Sequence, residues 1–385
     1  MAAEITQYKK KIFQHNMRKA IIGLIILVSV LVIGFVSYQA FLTRSYEDYI
    51  VVNRVEHHTI EGSKVLGFGT KFITYSSDGI HCTDAKGTDI WSFPYEMQTP
   101  MIDINGRYVA CADYNGRSVY IFNDEGTLGS IQFNVPVKNI CISGTGVVAV
   151  TTDKGEVTPI SMYYYDGTEI ASFRTSMSKF GYPVAIGMSD DSKLVGVSYL
   201  YLDSGELTTK VAFYNFGEVG QNETDNLVSG YDYKESIVPT IGFLNNRTAY
   251  ALANDRLLFF DGKERPVNKN NIMLHDQVHA IYSGDGKVGL VYLNNTGETK
   301  YKMDIYSGTG QLDTTLYFDL EYSDIFFANN RVAIYNSGSA LIYTDSGTIK
   351  FNGDFKEPVS LLLPTNSDLK YVAVTQESIQ TISFQ

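Results

Sequence analysis

The sequence predicts an all-β domain built from repeats and preceded by one membrane-spanning helix. Three observations support this prediction: an uncharged apolar run at 20–42, short strand-like runs separated by Gly, Asn and Asp turns, and a regular interval between those turns. Of the 385 residues, 13% are aromatic, 19% are charged and nine are proline. This composition suits strands and excludes a disordered chain.

Residues 20–42 form the predicted transmembrane helix. They contain no charge in 23 positions, and a helix of ~20 residues crosses the hydrocarbon layer of a bilayer. The alternative, a cleaved signal peptide, has an apolar run of only ~7–15 residues and a small residue where this chain has Tyr38. Five basic residues at 9–19 predict, by the positive-inside rule, a cytoplasmic arm at 1–19 and an extracytoplasmic domain at 43–385. We therefore expect a single-pass cell-membrane protein.

The charge of the chain excludes one class of partner. Residues 45–385 carry 25 basic and 41 acidic side chains, a net charge of −16. Such a surface repels phosphate backbones, so nucleic acid is not an expected partner. The three cysteines, Cys82, Cys111 and Cys141, lie in apolar strand-like runs and are too few for a disulfide framework. We expect them to be small buried residues.

A strand, a tight polar turn and a second strand occur eight times after the helix. The turns follow one another at intervals of 37, 39, 45, 56, 39, 45 and 37 residues. A second polar turn falls between the third and fourth strands of most units. The eight stretches are 65–75, 101–113, 137–152, 184–200, 240–253, 279–293, 324–336 and 359–375. Five of the nine prolines stand just before the first strand of a unit, where a fixed φ and a missing N–H cost nothing: Pro100, Pro136, Pro183, Pro239 and Pro358.

Four short strands in every ~40 residues are typical of a β-propeller blade. The last unit has three strands of its own, at 359–363, 370–375 and 378–384. Residues 49–60 would supply its missing outer strand and close the ring. Eight blades are predicted in this way, with seven as the alternative if 49–60 form only a stalk.

The predicted units resemble the degenerate blades of WD40-like and quinoprotein-like propellers. Residues 87–93, GTDIWSF, are similar to the G-x-x-x-W ending of quinoprotein-type blades, but Trp91 is the only tryptophan, so true quinoprotein dehydrogenases match poorly. The whole layout resembles an uncharacterised family of membrane-anchored propellers from Gram-positive, largely gut-dwelling bacteria. The resemblance implies no catalytic residues.

No catalytic residue, metal ion or cofactor is predicted. The chain has no G-x-S-x-G motif, and spacing along the chain does not show which carboxylates face each other. His275 and His279 have the H-x₃-H spacing of a helical zinc pair. They are predicted on a loop running into a strand, however, where such residues lie far apart.

The candidate binding site is a set of aromatic residues in the loops that are predicted to join one blade to the next. These loops open on one face of a propeller, and aromatic rings with a charged rim suit a protein or glycan contact. The residues are Tyr95, Phe180, Tyr182, Tyr231, Tyr233, Tyr322 and Phe355. The alternative is that these rings pack between blades and seal the ring.

The predicted function is a non-catalytic, extracytoplasmic scaffold that binds a protein or another cell-envelope partner. Two alternatives stay open at this point. One is a carbohydrate-binding or sensor module that reports through the basic arm, and the other is an envelope glycan hydrolase with carboxylates in the central channel.

Overall fold

The chain forms one long helix followed by short antiparallel strands, as seen in a computed structural model that describes residues 2–60, 62–155, 157–176, 181–295 and 297–385. The helix is α1 (Ala2–Thr43), and the strands within these ranges group into eight four-stranded sheets. These sheets are the blades of a propeller.

Blades 1 to 7 each use four strands that are consecutive in the chain. Their bounds are β2 (Lys64–Phe68), β3 (Lys71–Tyr75), β4 (Gly79–Asp84) and β5 (Asp89–Pro94) in blade 1; β6 (Pro100–Asn105), β7 (Tyr108–Asp113), β8 (Ser118–Asn123) and β9 (Thr127–Gln132) in blade 2; β10 (Val137–Ile142), β11 (Val148–Thr152), β12 (Val157–Tyr163) and β13 (Glu169–Ser176) in blade 3; and β14 (Tyr182–Met188), β15 (Leu194–Asp203), β16 (Glu206–Asn215) and β17 (Leu227–Lys234) in blade 4.

The later blades follow the same order. Their bounds are β18 (Thr240–Phe243), β19 (Thr248–Leu252), β20 (Arg256–Asp261) and β21 (Val267–Met273) in blade 5; β22 (Val278–Gly284), β23 (Lys287–Leu293), β24 (Tyr301–Ser307) and β25 (Leu312–Phe318) in blade 6; and β26 (Asp324–Ala328), β27 (Arg331–Tyr335), β28 (Ser339–Thr344) and β29 (Ile349–Asp354) in blade 7. Two 3₁₀ helices, Gly220–Asn222 and Thr224–Asn226, lie between β16 and β17.

Blade 8 combines the first strand after α1 with the last three strands of the described chain. It contains β30 (Val359–Pro364), β31 (Lys370–Thr375), β32 (Ser378–Phe384) and, as its outer strand, β1 (Tyr49–Glu56). β1 pairs antiparallel with β32 from Tyr49 opposite Phe384 to Glu56 opposite Ser378. The prediction of eight blades closed by an N-terminal strand is confirmed, and the seven-bladed alternative is wrong.

The hydrophobic core is divided among the junctions between blades. Each of eight clusters of buried residues joins two adjacent blades, and the last one packs Phe72 of blade 1 against Leu361 and Leu363 of blade 8. All five residues of β11 and of β19 are buried. Since both faces of a middle strand are covered, these strands read as continuous apolar runs rather than as alternating patterns.

Trp91 shows how one blade is attached to the next. It lies on β5, at the edge of blade 1, and its ring stacks on Phe122 of blade 2 with centroids 4.8 Å apart and planes 7° from parallel. Its indole N–H donates to the carbonyl oxygen of Asn123 at 2.9 Å. Apolar contact and a satisfied polar atom therefore hold the same junction.

Two smaller predictions concern the helix and the cysteines. Within α1, the segment Met17–Gln39 is apolar and long enough to cross a membrane, in agreement with the span predicted at 20–42. Cys82 and Cys111 are fully buried, and all three cysteines are free thiols.

Candidate functional site

The loops of the propeller lie on two faces. One face is formed by the loops between blades and by the turns that join the second and third strands of a blade, and we call it the distal face. The anchor face carries the other turns. The chain arrives from α1 on the anchor face, because Tyr49 pairs with Phe384 at the end of the third strand of blade 8. The helix and the distal face are thus on opposite sides of the ring.

The described residues of the predicted aromatic set lie on the distal half of the blades, but Tyr231 and Tyr233 are on β17 and not in a loop. Tyr95 and Tyr233 are each only 8% exposed. Tyr95 packs in the core between blades 1 and 2, where its ring stacks on Tyr120 at 6.5 Å. The Tyr233 hydroxyl accepts a hydrogen bond from Asn268 Nδ2 at 2.7 Å. Burial raises the pKa of Tyr233 to about 12, so this phenol stays neutral at physiological pH.

Tyr231 and Phe355 are half-buried and also join two elements. The hydroxyl of Tyr231 donates to the carbonyl oxygen of Pro266 at 3.0 Å, and its ring lies 5.4 Å from Phe260 of blade 5. Phe355 meets Tyr49 edge to face at 6.3 Å. Both rings attach one blade, or the closing strand, to its neighbour.

Tyr322 is the centre of an aromatic cluster between blades 6 and 7. Its ring lies 5.2 Å from Tyr301 and 6.3 Å from both Tyr282 and His279. Tyr182 is the half-buried first residue of β14, and Phe180 lies outside the described residues.

The six described aromatic residues are therefore dispersed around the propeller, and all of them except Tyr182 make the contacts given above, within and between blades. These contacts are the ones that the sealing alternative requires. A binding role for the set stays a prediction.

The imidazoles of the H-x₃-H pair do not share a secondary-structure element. His275 lies in the loop before β22, whereas His279 is on that strand. The part of the chain that the structure describes contains no group of three or more His, Cys, Asp or Glu residues placed to hold a metal ion.

The most prominent feature of the distal face is one that the sequence analysis missed. β15 and β16 have ten residues each, and they pair from Leu194–Asn215 to Asp203–Glu206. This hairpin is four residues longer than β7 and β8, or about 13 Å at ~3.3 Å per residue. We call residues 201–207 the tip. The signal in the sequence was the interval of 56 residues, the widest of the seven.

The tip exposes one large apolar side chain among acids. Leu202 is 70% exposed, and its neighbours Asp203 and Glu206 are exposed as well. The hydroxyl of Tyr201 donates to Asp232 Oδ1 at 3.1 Å and so attaches the tip to the outer strand of the same blade. A projecting aliphatic residue with a charged surround is the kind of anchor that protein partners enclose.

On the other face, the segment between α1 and β1 is held by two blades. We call residues 44–48 the linker. The N–H of Tyr46 donates to the carbonyl oxygen of Lys350, and the N–H of Asn352 donates to that of Tyr46, both at 3.0 Å. These bonds attach the linker to the outer strand of blade 7.

The loop between blades 7 and 8 holds the next part of the chain. Asp48 forms an ion pair with Lys356 at 3.2 Å, and the hydroxyl of Tyr49 accepts the N–H of Lys356 at 2.8 Å. The Lys356 ammonium also lies 4.8 Å from the centre of the Tyr49 ring. The chain therefore enters the propeller along a path that is fixed by contacts of the linker with the outer strand of blade 7 and with Lys356.

Solved structures with the same fold share little sequence with this chain. Sqt1 from Chaetomium thermophilum aligns with a TM-score of 0.55 and 8% identity over 87% of this chain and 98% of its own. BamB from Moraxella catarrhalis gives 0.50 and 11% over 88% and 100%. A eukaryotic initiation factor gives 0.50 and 12% over 89% and 88%. At these identities the likeness shows a propeller and nothing more.

Comparison by sequence assigns the chain to a family. A search of curated protein sequences returned no match. The sequence profile of a family of unknown function matches residues 42–384, which cover the linker and the whole propeller. The chain thus belongs to the DUF5711 family.

Proposed function

We propose that this protein is a membrane-anchored, extracytoplasmic scaffold that presents its distal face to a protein of the cell envelope. The observation that carries the proposal is the opposition of the two faces. The helix joins the ring on the anchor face, and the hairpin with the exposed Leu202 projects from the other. A partner that approaches from outside the membrane would meet the tip first.

The mechanical arrangement supports a scaffold. A ring closed by β1 and packed at every blade junction holds its loops in fixed positions, and binding residues placed on such a frame lose little conformational entropy when they engage. The linker is hydrogen-bonded to blade 7 and ion-paired with Lys356 of the following loop, which would hold the tip at a fixed height above the membrane.

Site-specific photo-crosslinking in the native membrane tests the proposal. A photoreactive amino acid at Ser204 in the full chain should give one protein adduct of defined mass. The same amino acid at Tyr317, which is 53% exposed on the outer strand of blade 6, should not. Adducts of equal yield at both positions, or none at Ser204, would contradict the proposal.

A substitution in the tip sharpens the result. Leu202→Ser should lower the yield of the Ser204 adduct about tenfold, since burial of a leucine side chain contributes ~1.5–3 kcal/mol. Leu312→Ser is the matched control, because Leu312 is 49% exposed on the edge of blade 6. The control should leave the yield unchanged.

A further inference from the structure

Three blades place a cation at the same position of the anchor face. In blades 1, 6 and 7 a two-residue turn joins the first and second strands, and the second strand then begins with Lys71, Lys287 or Arg331. In the first two cases the next blade supplies a carboxylate from the turn between its third and fourth strands. Lys71 pairs with Asp124 at 3.5 Å and Lys287 with Asp345 at 2.5 Å.

In blade 7 the cation, Arg331, cannot receive a carboxylate from the corresponding turn of the next blade. Its neighbour, blade 8, has no turn between third and fourth strands, because its fourth strand is β1, which precedes blade 1 in the chain. Arg331 instead meets Asp368, from the first turn of blade 8, at 3.3 Å. The Asp368 side chain is 72% exposed, whereas that of Arg331 is only 9% exposed.

The Arg331 guanidinium also donates to the hydroxyl of Tyr371, but these two contacts do not use all of its N–H groups. Its Nη1 atom is shielded from solvent and has no hydrogen-bond partner among the described residues. A buried guanidinium without a full set of acceptors is costly, so this position favours an additional anion.

A cavity of about 610 Å³ lies where the missing turn would be, between the linker, blade 7 and the first turn of blade 8. Lys350 lines it and is only 9% exposed. This lysine is the extra residue of a β-bulge, since Ile342 pairs with Phe351 and the next residue, Tyr343, pairs with Ile349. A bulge turns the direction of a side chain, and here it brings a second cation to the cavity.

The charges around the cavity leave a positive surplus. Arg44, Arg331 and Lys350 line it, and so do Asp345 and Asp368. Asp345 is already bound by Lys287, which lies outside the lining. The pKa of Lys350 is lowered by burial and, next, by the positive charge of Arg331, as expected where two cations share a poorly solvated site.

We propose that this cavity binds a phosphate group, held by Arg331 and Lys350 with help from the hydroxyls of Thr344, Ser346 and Thr348. A guanidinium matches the paired oxygens of phosphate, and an ammonium adds a point charge. The group would take the place of the carboxylate that the turn of a complete blade supplies.

The position of the cavity favours the headgroup of an anionic lipid as the source. Gln39, the last residue of the apolar segment of α1, lines the cavity together with Thr43 and Arg44. The end of a membrane-spanning helix lies at the level of the lipid headgroups. This choice of source rests on the proposed membrane anchoring, whereas the phosphate chemistry does not, since free phosphate offers the same oxygens.

The full chain in lipid nanodiscs allows both sources to be tested. Nanodiscs of phosphatidylcholine with phosphatidylglycerol should yield protein that keeps one phosphatidylglycerol in native mass spectrometry. Lys350→Gln should weaken this retention about tenfold, because it removes one charge-assisted contact. Arg247→Gln is the matched control, since Arg247 lies on the same face of blade 5 and is bound by both oxygens of Asp261.

A second arm uses inorganic phosphate with phosphatidylcholine nanodiscs. A rise in the unfolding temperature that Lys350→Gln abolishes, without selective retention of phosphatidylglycerol, would support a phosphate site filled from solution. Absence of both effects, or equal losses in Lys350→Gln and Arg247→Gln, would overturn the proposal. If Lys350→Gln fails to fold, Arg331→Lys replaces it as the test variant, because it keeps the charge but loses the paired contact of the guanidinium with phosphate. Crosslinking at the tip, on the opposite face, is independent of either result.

Discussion

The carbonyl oxygen of Glu47 lies so close to Gly353 that a Cβ on this glycine would be 2.2 Å from it. The two residues belong to the linker and to the outer strand of blade 7, which run side by side at this point. A glycine is required here because of the approach of another backbone, not because of its own φ. The contact therefore couples the path of the linker to the sequence of blade 7.

Gly353→Ala should displace the linker and destabilise the full chain by about 1–3 kcal/mol, the usual cost of forcing a methyl group into a packed site. Thermal unfolding in nanodiscs, followed by circular dichroism, measures the effect. The control is Gly230→Ala on the outer strand of blade 4, where a Cβ would meet nothing within 4 Å. Equal midpoints for the two variants would show that the linker is not held at this position.

Tyr49→Ala should open the ring at blade 8. Tyr49 is 2% exposed and packs in the core between blades 7 and 8, so its truncation should cost about 3–5 kcal/mol. Hydrogen exchange should show lost protection in β1 and β32 before the other blades. Tyr317→Ala, at an exposed position, is the comparison. A uniform loss of protection over all blades would argue against β1 as the closing element.

Trp91→Phe and Trp91→Ala should separate the two contributions of the junction between blades 1 and 2. Phenylalanine keeps the stacking on Phe122 but loses the hydrogen bond to Asn123, which should lower the free energy of unfolding by about 1 kcal/mol. Alanine loses both contacts, which should lower the free energy of unfolding by about 3 kcal/mol or more. Urea unfolding followed by circular dichroism distinguishes them, with exposed Tyr165→Ala expected within ~0.5 kcal/mol of the wild type. A phenylalanine variant as unstable as the alanine variant would contradict this division.

Asp103→Asn should stabilise the protein at pH 7 and lose that advantage as the pH falls. Burial raises the pKa of Asp103 above its usual 3.8, although the N–H of Ile142 donates to the carboxylate at 2.6 Å. A raised pKa in the folded state means that the stabilising contribution is present below pH 3.8 and is lost as pH rises through the folded pKa.

The measurement is the urea midpoint of wild type and Asp103→Asn between pH 7 and pH 4. Asp203→Asn, at the exposed tip, controls for the loss of a carboxylate and should stay within ~0.5 kcal/mol of wild type. A difference between wild type and Asp103→Asn that does not change with pH would exclude ionisation of Asp103 as its cause.

Cysteine labelling tests the predicted topology. Ser204→Cys should react with a membrane-impermeant maleimide in intact cells, whereas His15→Cys, in the arm before the apolar segment, should react only after permeabilisation. Burial raises the pKa of Cys82 to about 11 and that of Cys111 to about 12, which keeps these thiols protonated and the background low. The reverse pattern of labelling would invert the topology.

The extent of what can be predicted differs between fold and site. Turn residues and short apolar runs are local signals, and they led to the blade number and to the closing strand at 49–60. The binding role of the aromatic residues stays a prediction, and Tyr231 and Tyr233 lie on β17 and not in the predicted loop. Whether a ring such as Tyr95 faces solvent or the next blade depends on which side of a strand it occupies and on what packs there, and this is a tertiary property.

The apolar helix, the eight repeats and their closure could all be predicted from the sequence, because apolar length and strand periodicity are properties of neighbouring residues. The two proposed sites, in contrast, are defined by the three-dimensional structure. Leu202 projects because the hairpin β15–β16 is longer than those of other blades. Arg331 and Lys350 line one cavity because blade 8 has no turn between its third and fourth strands. The tip is a local hairpin, and its projection is defined only by comparison with the shorter blades around it. The cavity depends on residues distant in the chain, which closure of the ring brings together.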